Sequence, residues 1–121
     1  MTQSLSGKSV LIVEDEFIIG LMLRQEIASV GGTSIGPVNS VADALKEIES
    51  RVIHAAVLDA KLADGTSAEL AACLAARQIP YVVVSGYDKA SLPKELSGAP
   101  FIAKPVSVPL LMEAIQRLNR S

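Results

Sequence analysis

The chain is poor in the residues that staple or anchor small proteins. It has one cysteine (Cys73), one histidine (His54), no tryptophan, two tyrosines and two phenylalanines. A single cysteine excludes an internal disulfide framework and any multi-cysteine metal site, and there is no second histidine to complete a metal pair. No long hydrophobic run is present. The longest near the N-terminus, Phe17 to Leu23 with Gly20 inside it, falls far short of the roughly 20 residues that cross a bilayer. Val10–Val13 is followed at once by three acids, which is not a secretory pattern. Neither sign of charge is in excess: 11 basic against 13 acidic side chains give a net charge of −2, no footprint for nucleic acid. Hydrophobic residues at 50% against 20% charged exclude disorder. A length of 121 residues suits one domain, and such a chain buries roughly two-thirds of its unfolded surface without a staple. The expectation is a single domain over 1–121 in a cytoplasmic setting, with no nucleic-acid or membrane partner.

Five short apolar runs recur along this chain. They are Val10–Val13, Ser34–Pro37, Ala55–Leu58, Tyr81–Val84 and Phe101–Ala103. The first, third and fourth are apolar at every position, as strands covered on both faces of a parallel sheet are. The second carries Pro37 and reads as an edge. Helical patterns lie between the runs. Residues 16–30 carry a broad apolar stripe and stop at Gly31-Gly32. Val41, Ala44, Leu45 and Ile48 fall at helical spacing behind Ser40, an N-cap. Thr66-x-x-Glu69 reads as a capping box before Leu70, Cys73 and Leu74. Residues 88–97 form a short helix interrupted by Pro93. Residues 107–119 put Val108, Leu111, Ile115 and Leu118 on one face, with Leu110 and Met112 flanking it. Alternation of this kind gives an α/β fold: a five-stranded parallel doubly wound sheet of order 2-1-3-4-5, flavodoxin-like, with helices on both faces. Its site lies beyond the carboxyl ends of the strands, at the switch point between the first and third.

The strand ends carry the chemistry. Strand one ends in Glu14-Asp15, strand three in Asp59, strand four in Ser85-Gly86 and strand five in Lys104-Pro105. Singly, each is an ordinary turn or helix start; jointly, they set three carboxylates, a hydroxyl and an ammonium around one crevice. Clustered carboxylates stay ionised only beside a compensating cation. The donors are all hard oxygens, which points to Mg2+. A carboxylate can itself be a nucleophile and form an aspartyl phosphate. The transferred group's oxygens then need neutralising by the metal, by Lys104, and by the Ser85 hydroxyl with a backbone N–H. The inventory matches phosphoryl transfer to Asp59. His54, at the other end of its strand, is expected to be structural, and Cys73 an inert core thiol.

With these residues in place, the sequence resembles the receiver domains of two-component response regulators. VLIVEDE (10–16), AVLDAKLADG (56–65), VVVSGY (82–87) and FIAKPV (101–106) carry the resemblance, which covers about Lys8 to Leu118. It implies that Asp59 is the phosphoacceptor. Mg2+ would be held by Asp15, Asp59 and the backbone carbonyl of Lys61, with Glu14 acting through water. Ser85 would be the switch hydroxyl and Phe101 the switch aromatic. The implied donor is a phosphohistidine on a histidine kinase or histidine phosphotransfer protein. The implied output is a downstream protein, docked through helix four, strand five and helix five, or a phosphorylation-dependent homodimer. No output domain is expected within 1–121. Such a domain catalyses its own phosphorylation and dephosphorylation without being a turnover enzyme.

The chain departs from the family pattern in three places. Serine replaces the commoner threonine at 85, the loop after Asp59 is short and lacks its usual proline, and Lys61 puts a cation where small or neutral side chains are common. Ser85-Gly86-Tyr87 is similar to a subset of receivers that often lack an output domain. Lys61 and Tyr87, each two residues beyond a site residue, are expected to reach over the pocket and shield an aspartyl phosphate from water. Lys61 pairing with Glu14 across a metal-free site is one alternative, and both side chains simply pointing into solvent is another. Among rivals, a flavin module wants a Ser/Thr/Gly-rich loop where Glu14-Asp15-Glu16 stands. A phosphohydrolase similar to the haloacid dehalogenases wants D-x-D there. A docking module that is never phosphorylated would have no use for the complete Asp/Ser/Lys set.

Overall fold

The computed structural model describes residues 4–62, 64–86 and 89–119. Five parallel strands form the central sheet: β1 (Ser9–Val13), β2 (Thr33–Val38), β3 (Ala55–Asp59), β4 (Tyr81–Ser85) and β5 (Phe101–Ala103). Their order is 2-1-3-4-5, as the alternation of strand and helix implies. Parallel registers join Val10 to Ala55, Val57 to Val82 and Val83 to Phe101. β1 is buried from Val10 to Val13 and β3 along its whole length, which explains why every residue of these runs is apolar up to the terminal Asp59. β2 is the edge, and its register to β1 shifts between Leu11 and Val13. Gly36 sits there at φ +99°, where a Cβ would stand 2.7 Å from the Ile12 carbonyl oxygen.

Helices α1 (Phe17–Ser29), α2 (Val41–Ser50), α3 (Ala68–Ala76), α4 (Lys94–Ser97) and α5 (Val108–Leu118) complete the fold. α2 and α3 cover one face of the sheet with Ala44, Ile48, Leu70 and Leu74, while α1 and α5 cover the other with Leu23, Ile27, Leu111 and Ile115. The broad stripe on α1 is only partly buried. Gly20, Leu23 and Ile27 face the sheet, whereas Phe17, Ile18, Leu21 and Met22 are exposed. Gly20 permits the approach, because a Cβ there would lie 2.7 Å from the Pro37 ring. On α5, Met112 joins the core and Leu110 stays exposed. Cys73 is half-buried against the α2/α3 core rather than inside it.

Three local features differ from the sequence expectations. The segment after β3 forms a two-stranded antiparallel ribbon, Lys61–Leu62 against Gly65–Thr66. α3 starts at Ala68, one residue later than a Thr66 cap implies, with Ser67 at its N-cap making no side-chain cap bond; the Thr66 side chain lies outside the described residues. The Ser67 hydroxyl instead donates to the Asp59 carbonyl oxygen, so it is spent on the loop. The helix expected over 88–97 reduces to a 3-10 turn (Lys89–Ser91) and the four residues of α4. Pro93 supplies no N–H, so a continuous helix cannot run through it. His54 is structural as expected: its Nδ1 accepts the Ser9 N–H at 2.9 Å, and its own N–H donates to the Ser9 carbonyl. No helix among the described residues is long and apolar enough to cross a membrane.

Candidate functional site

The β1–α1 turn presents three consecutive acids. Glu14 continues the sheet by donating its N–H to the Val38 carbonyl at 2.9 Å, so its side chain points inward and is 1% exposed. Its Oε2 accepts the Glu16 N–H at 3.0 Å, which closes the turn just before α1 begins. Asp15 is exposed at the rim. Asp59 ends β3 at the middle of the sheet and is 3% exposed. The next residue still pairs with β4, Ala60 N–H to Val84 carbonyl at 2.8 Å. Ser85 ends β4 and is buried, and its carbonyl accepts the Lys104 N–H at 2.8 Å. Hydrogen bonding along adjacent strands therefore fixes the relative places of Asp59, Ser85 and Lys104.

Lys104 ties the acids together. Its Nζ lies 3.1 Å from Asp59 Oδ2, 3.0 Å from Glu16 Oε1 and 3.7 Å from Glu14 Oε2. Burial alone would push this ammonium's pKa down. The bonds to Glu16 and Asp59 and the charges of Asp59 and Glu14 outweigh burial, and the pKa rises. Asp59 also receives two long backbone contacts of 3.4 Å, the Asp15 N–H on Oδ2 and the Lys61 N–H on Oδ1. Glu14 is pushed up to about 7, chiefly by burial, with Asp59 adding to the rise; the Glu16 N–H and the Lys104 charge oppose it. Among the described residues, the buried Glu14 Oε1 meets no hydrogen-bond partner.

Asp15, Asp59, Lys61, Leu62, Ser85, Gly86 and Lys104 line a pocket of about 540 Å³. The anticipated phosphoacceptor, hydroxyl and lysine thus meet at the carboxyl end of the sheet. Glu14 lies beneath the pocket, and Phe101 is half-buried at the start of β5, paired in register with Val83. Tyr87 lies outside the described residues. Lys61 is exposed at the pocket wall. Among the described residues, Glu14 pairs with Lys104.

Hard oxygens line the site, which suits Mg2+. Among the described residues, no three acidic, histidine or cysteine side chains gather as a ready-made metal cage. Mg2+ typically takes one or two carboxylates and keeps waters. The orphaned Glu14 oxygen supplies an acceptor for such a water.

Three contributors carry no signal in the sequence. Glu16 is by sequence only part of an acidic run, yet it shares Lys104. Ser67 braces the Asp59 carbonyl. Asp64 accepts the Val41 N–H at 2.9 Å. No local pattern marks these contacts, since each spans a fold-dependent gap.

No protein-family model and no curated protein sequence matches the chain. Solved structures do. SdrG from Sphingomonas melonis Fr1 is 35% identical at a TM-score of 0.78, covering 95% of this chain and 97% of that one. A CheY-like response regulator receiver domain from Methylobacillus flagellatus is 26% identical at a TM-score of 0.76, covering 92% and 98%. SdrG from Pseudomonas melonis Fr1 in a BeF3-activated conformation is 34% identical at 0.75, covering 98% of each chain. The fold and the strand-end site define a receiver module of two-component signalling. The chain belongs to the CheY-like response regulator receiver domains.

Proposed function

We propose that Asp59 accepts a phosphoryl group in a Mg2+-dependent reaction and that this switches a protein-docking surface. The observation that carries the reading is Asp59 itself: a nearly buried carboxylate at the pocket floor, with the Lys104 ammonium 3.1 Å from its Oδ2. The donor is a phosphohistidine of a histidine kinase or histidine phosphotransfer protein. An Asp59 carboxylate oxygen forms the new bond to phosphorus as the phosphorus–nitrogen bond breaks, and the imidazole leaves with the electron pair and takes up a proton. Mg2+, when bound, neutralises charge on the transferred group. Asp15, Asp59 and the Lys61 carbonyl would hold it, with Glu14 acting through water. Lys104 and the Ser85 hydroxyl answer the remaining oxygens.

Ser85 and Phe101 connect the site to the surface. Drawing the Ser85 hydroxyl toward a phosphoryl oxygen leaves space beside β5 that the half-buried Phe101 ring can enter. The surface formed by α4, β5 and α5, with Leu110 exposed on it, is then repacked for a downstream protein or a second copy of the chain. The coupling is expected to be about 1–3 kcal/mol. Incubation with a small phosphodonor and Mg2+ tests the reading through the intact mass. A gain of one phosphoryl unit that disappears with a chelator and in Asp59→Asn is expected. Equal labelling of Asp59→Asn would overturn the assignment.

A further inference from the structure

We propose that Asp64 is a positioning residue: from the tip of the ribbon after β3, it caps α2 and so fixes the loop that carries Lys61 against the pocket. The inference rests on the phosphoacceptor reading of Asp59 and adds a residue to it.

The loop is held at its base by Ser67, which is fully buried. The Ser67 N–H donates to the Ala60 carbonyl at 3.0 Å, and its hydroxyl donates to the Asp59 carbonyl. Leu62 anchors one ribbon strand in the core at 3% exposure. Asp64 and Gly65, at the tip, are by contrast exposed. A bond across 23 residues holds Asp64. The Asp64 carboxylate accepts the Val41 N–H at 2.9 Å through Oδ1 and at 3.1 Å through Oδ2, and the Ala42 N–H lies 3.4 Å from Oδ2.

These are first-turn donors of α2, which have no partner inside their own helix. Ser40 answers the next one, the Asp43 N–H, at 3.1 Å. Two caps thus serve one helix: Ser40 is local, and Asp64 comes from the site loop. A carboxylate suits the positive end of a helix. The Val41 bond, ahead of the opposing cost of burial, holds the Asp64 carboxyl below its usual range. Lys61 is three residues from Asp64 on the same ribbon and lines the pocket, with its N–H 3.4 Å from Asp59 Oδ1. Releasing the tip loosens Lys61, whose own carbonyl, in the peptide that follows, is the proposed backbone ligand.

The test separates the loop clamp from helix capping, because Ser40→Ala uncaps the same helix without touching the loop. Amide hydrogen exchange over 61–67 is measured by NMR on the whole chain with metal removed, and Mg2+ affinity is then titrated. Loss of a cap should raise loop exchange about fivefold in Asp64→Ala and weaken Mg2+ binding by a similar factor, with partial rescue in Asp64→Asn. Ser40→Ala should lower thermal stability while leaving both readings at the parental values. Unchanged loop exchange in Asp64→Ala, or equal effects in Ser40→Ala, would overturn the clamp. Faster exchange in Asp64→Ala in a parent that takes up no Mg2+ would support the clamp and reject the phosphoacceptor reading instead.

Discussion

The two sides of the molecule are built to different standards. On one side, β1 and β3 are sandwiched between helices and buried to their last apolar residues, and they carry Glu14, Asp15 and Asp59. On the other, β5 has three residues, none of them buried, and α4 has four, with Leu96 as its one buried side chain. A hydroxyl supplements that anchor, the Tyr81 OH donating to the Glu95 carbonyl at 3.0 Å. Chemistry needs carboxylates held to within fractions of an ångström, and a packed sheet centre provides that. The proposed switch asks for an element with low local stability, and few buried contacts provide that. Ser85 and Lys104 stand between the two, joined by the bond from the Lys104 N–H to the Ser85 carbonyl.

Truncation gives the largest expected contrast. Leu11 and Leu96 are both fully buried, so side-chain burial alone does not separate them. Leu11→Ala leaves a cavity at the sheet centre that cannot close, and about 4 kcal/mol of stability should be lost. Leu96→Ala should cost about 2 kcal/mol, because a four-residue helix can settle onto the gap. Denaturant unfolding of both variants measures the difference. Equal losses would remove the distinction between the two sides.

The next effect is electrostatic and belongs to the rigid side. Glu14 titrates near 7 in the folded chain against an ordinary 4.5, so the native state holds this proton to higher pH than the unfolded one. Its contribution to folding is fully present below about 4.5 and is lost as pH rises through about 7. In metal-free protein, Glu14→Gln should therefore flatten the fall in stability over this window and raise Tm at pH 8, with little change at pH 4. Mg2+ should bind the parent more weakly below pH 7, where the proton competes. A Glu14→Gln protein that melts lower than the parent at pH 8 would show that the carboxylate is well satisfied there.

The smallest effect is on the thin side. Tyr81→Phe removes one exposed hydrogen bond, worth about 0.5–1 kcal/mol. It should speed amide exchange over 94–99 while leaving 55–59 unchanged. Exchange rising equally in both segments would mean that α4 is not a separately yielding element.

Sequence made the rigid side legible and the thin side less so. Continuous burial leaves a continuous apolar run, and a parallel sheet puts its site where those runs stop, so Asp59, Ser85 and Lys104 could be read from strand ends. The ribbon could not, because two residues show no period. Asp64 was hidden for another reason: a cap is recognised from its neighbours, as Ser40 was, and Asp64 reaches α2 from across the fold. Thr66-x-x-Glu69 has the spacing of a capping box, but the helix starts one residue later, behind Ser67, whose hydroxyl goes to the Asp59 carbonyl. The apolar residues of α1 show the limit of composition, since Phe17 and Ile18 are as hydrophobic as Leu23 and Ile27 yet face outward.

An event at Asp59 on the rigid side is expected to be expressed on the yielding one. NMR spectra of the Mg2+-loaded chain with and without beryllofluoride test it directly. The expected result is a set of shifted amides around Asp59, Ser85 and Lys104 that continues through 89–103 and into α5, with β1 and α2 unmoved apart from the Glu14–Glu16 turn. Shifts confined to the pocket, with none over 89–115, would contradict it.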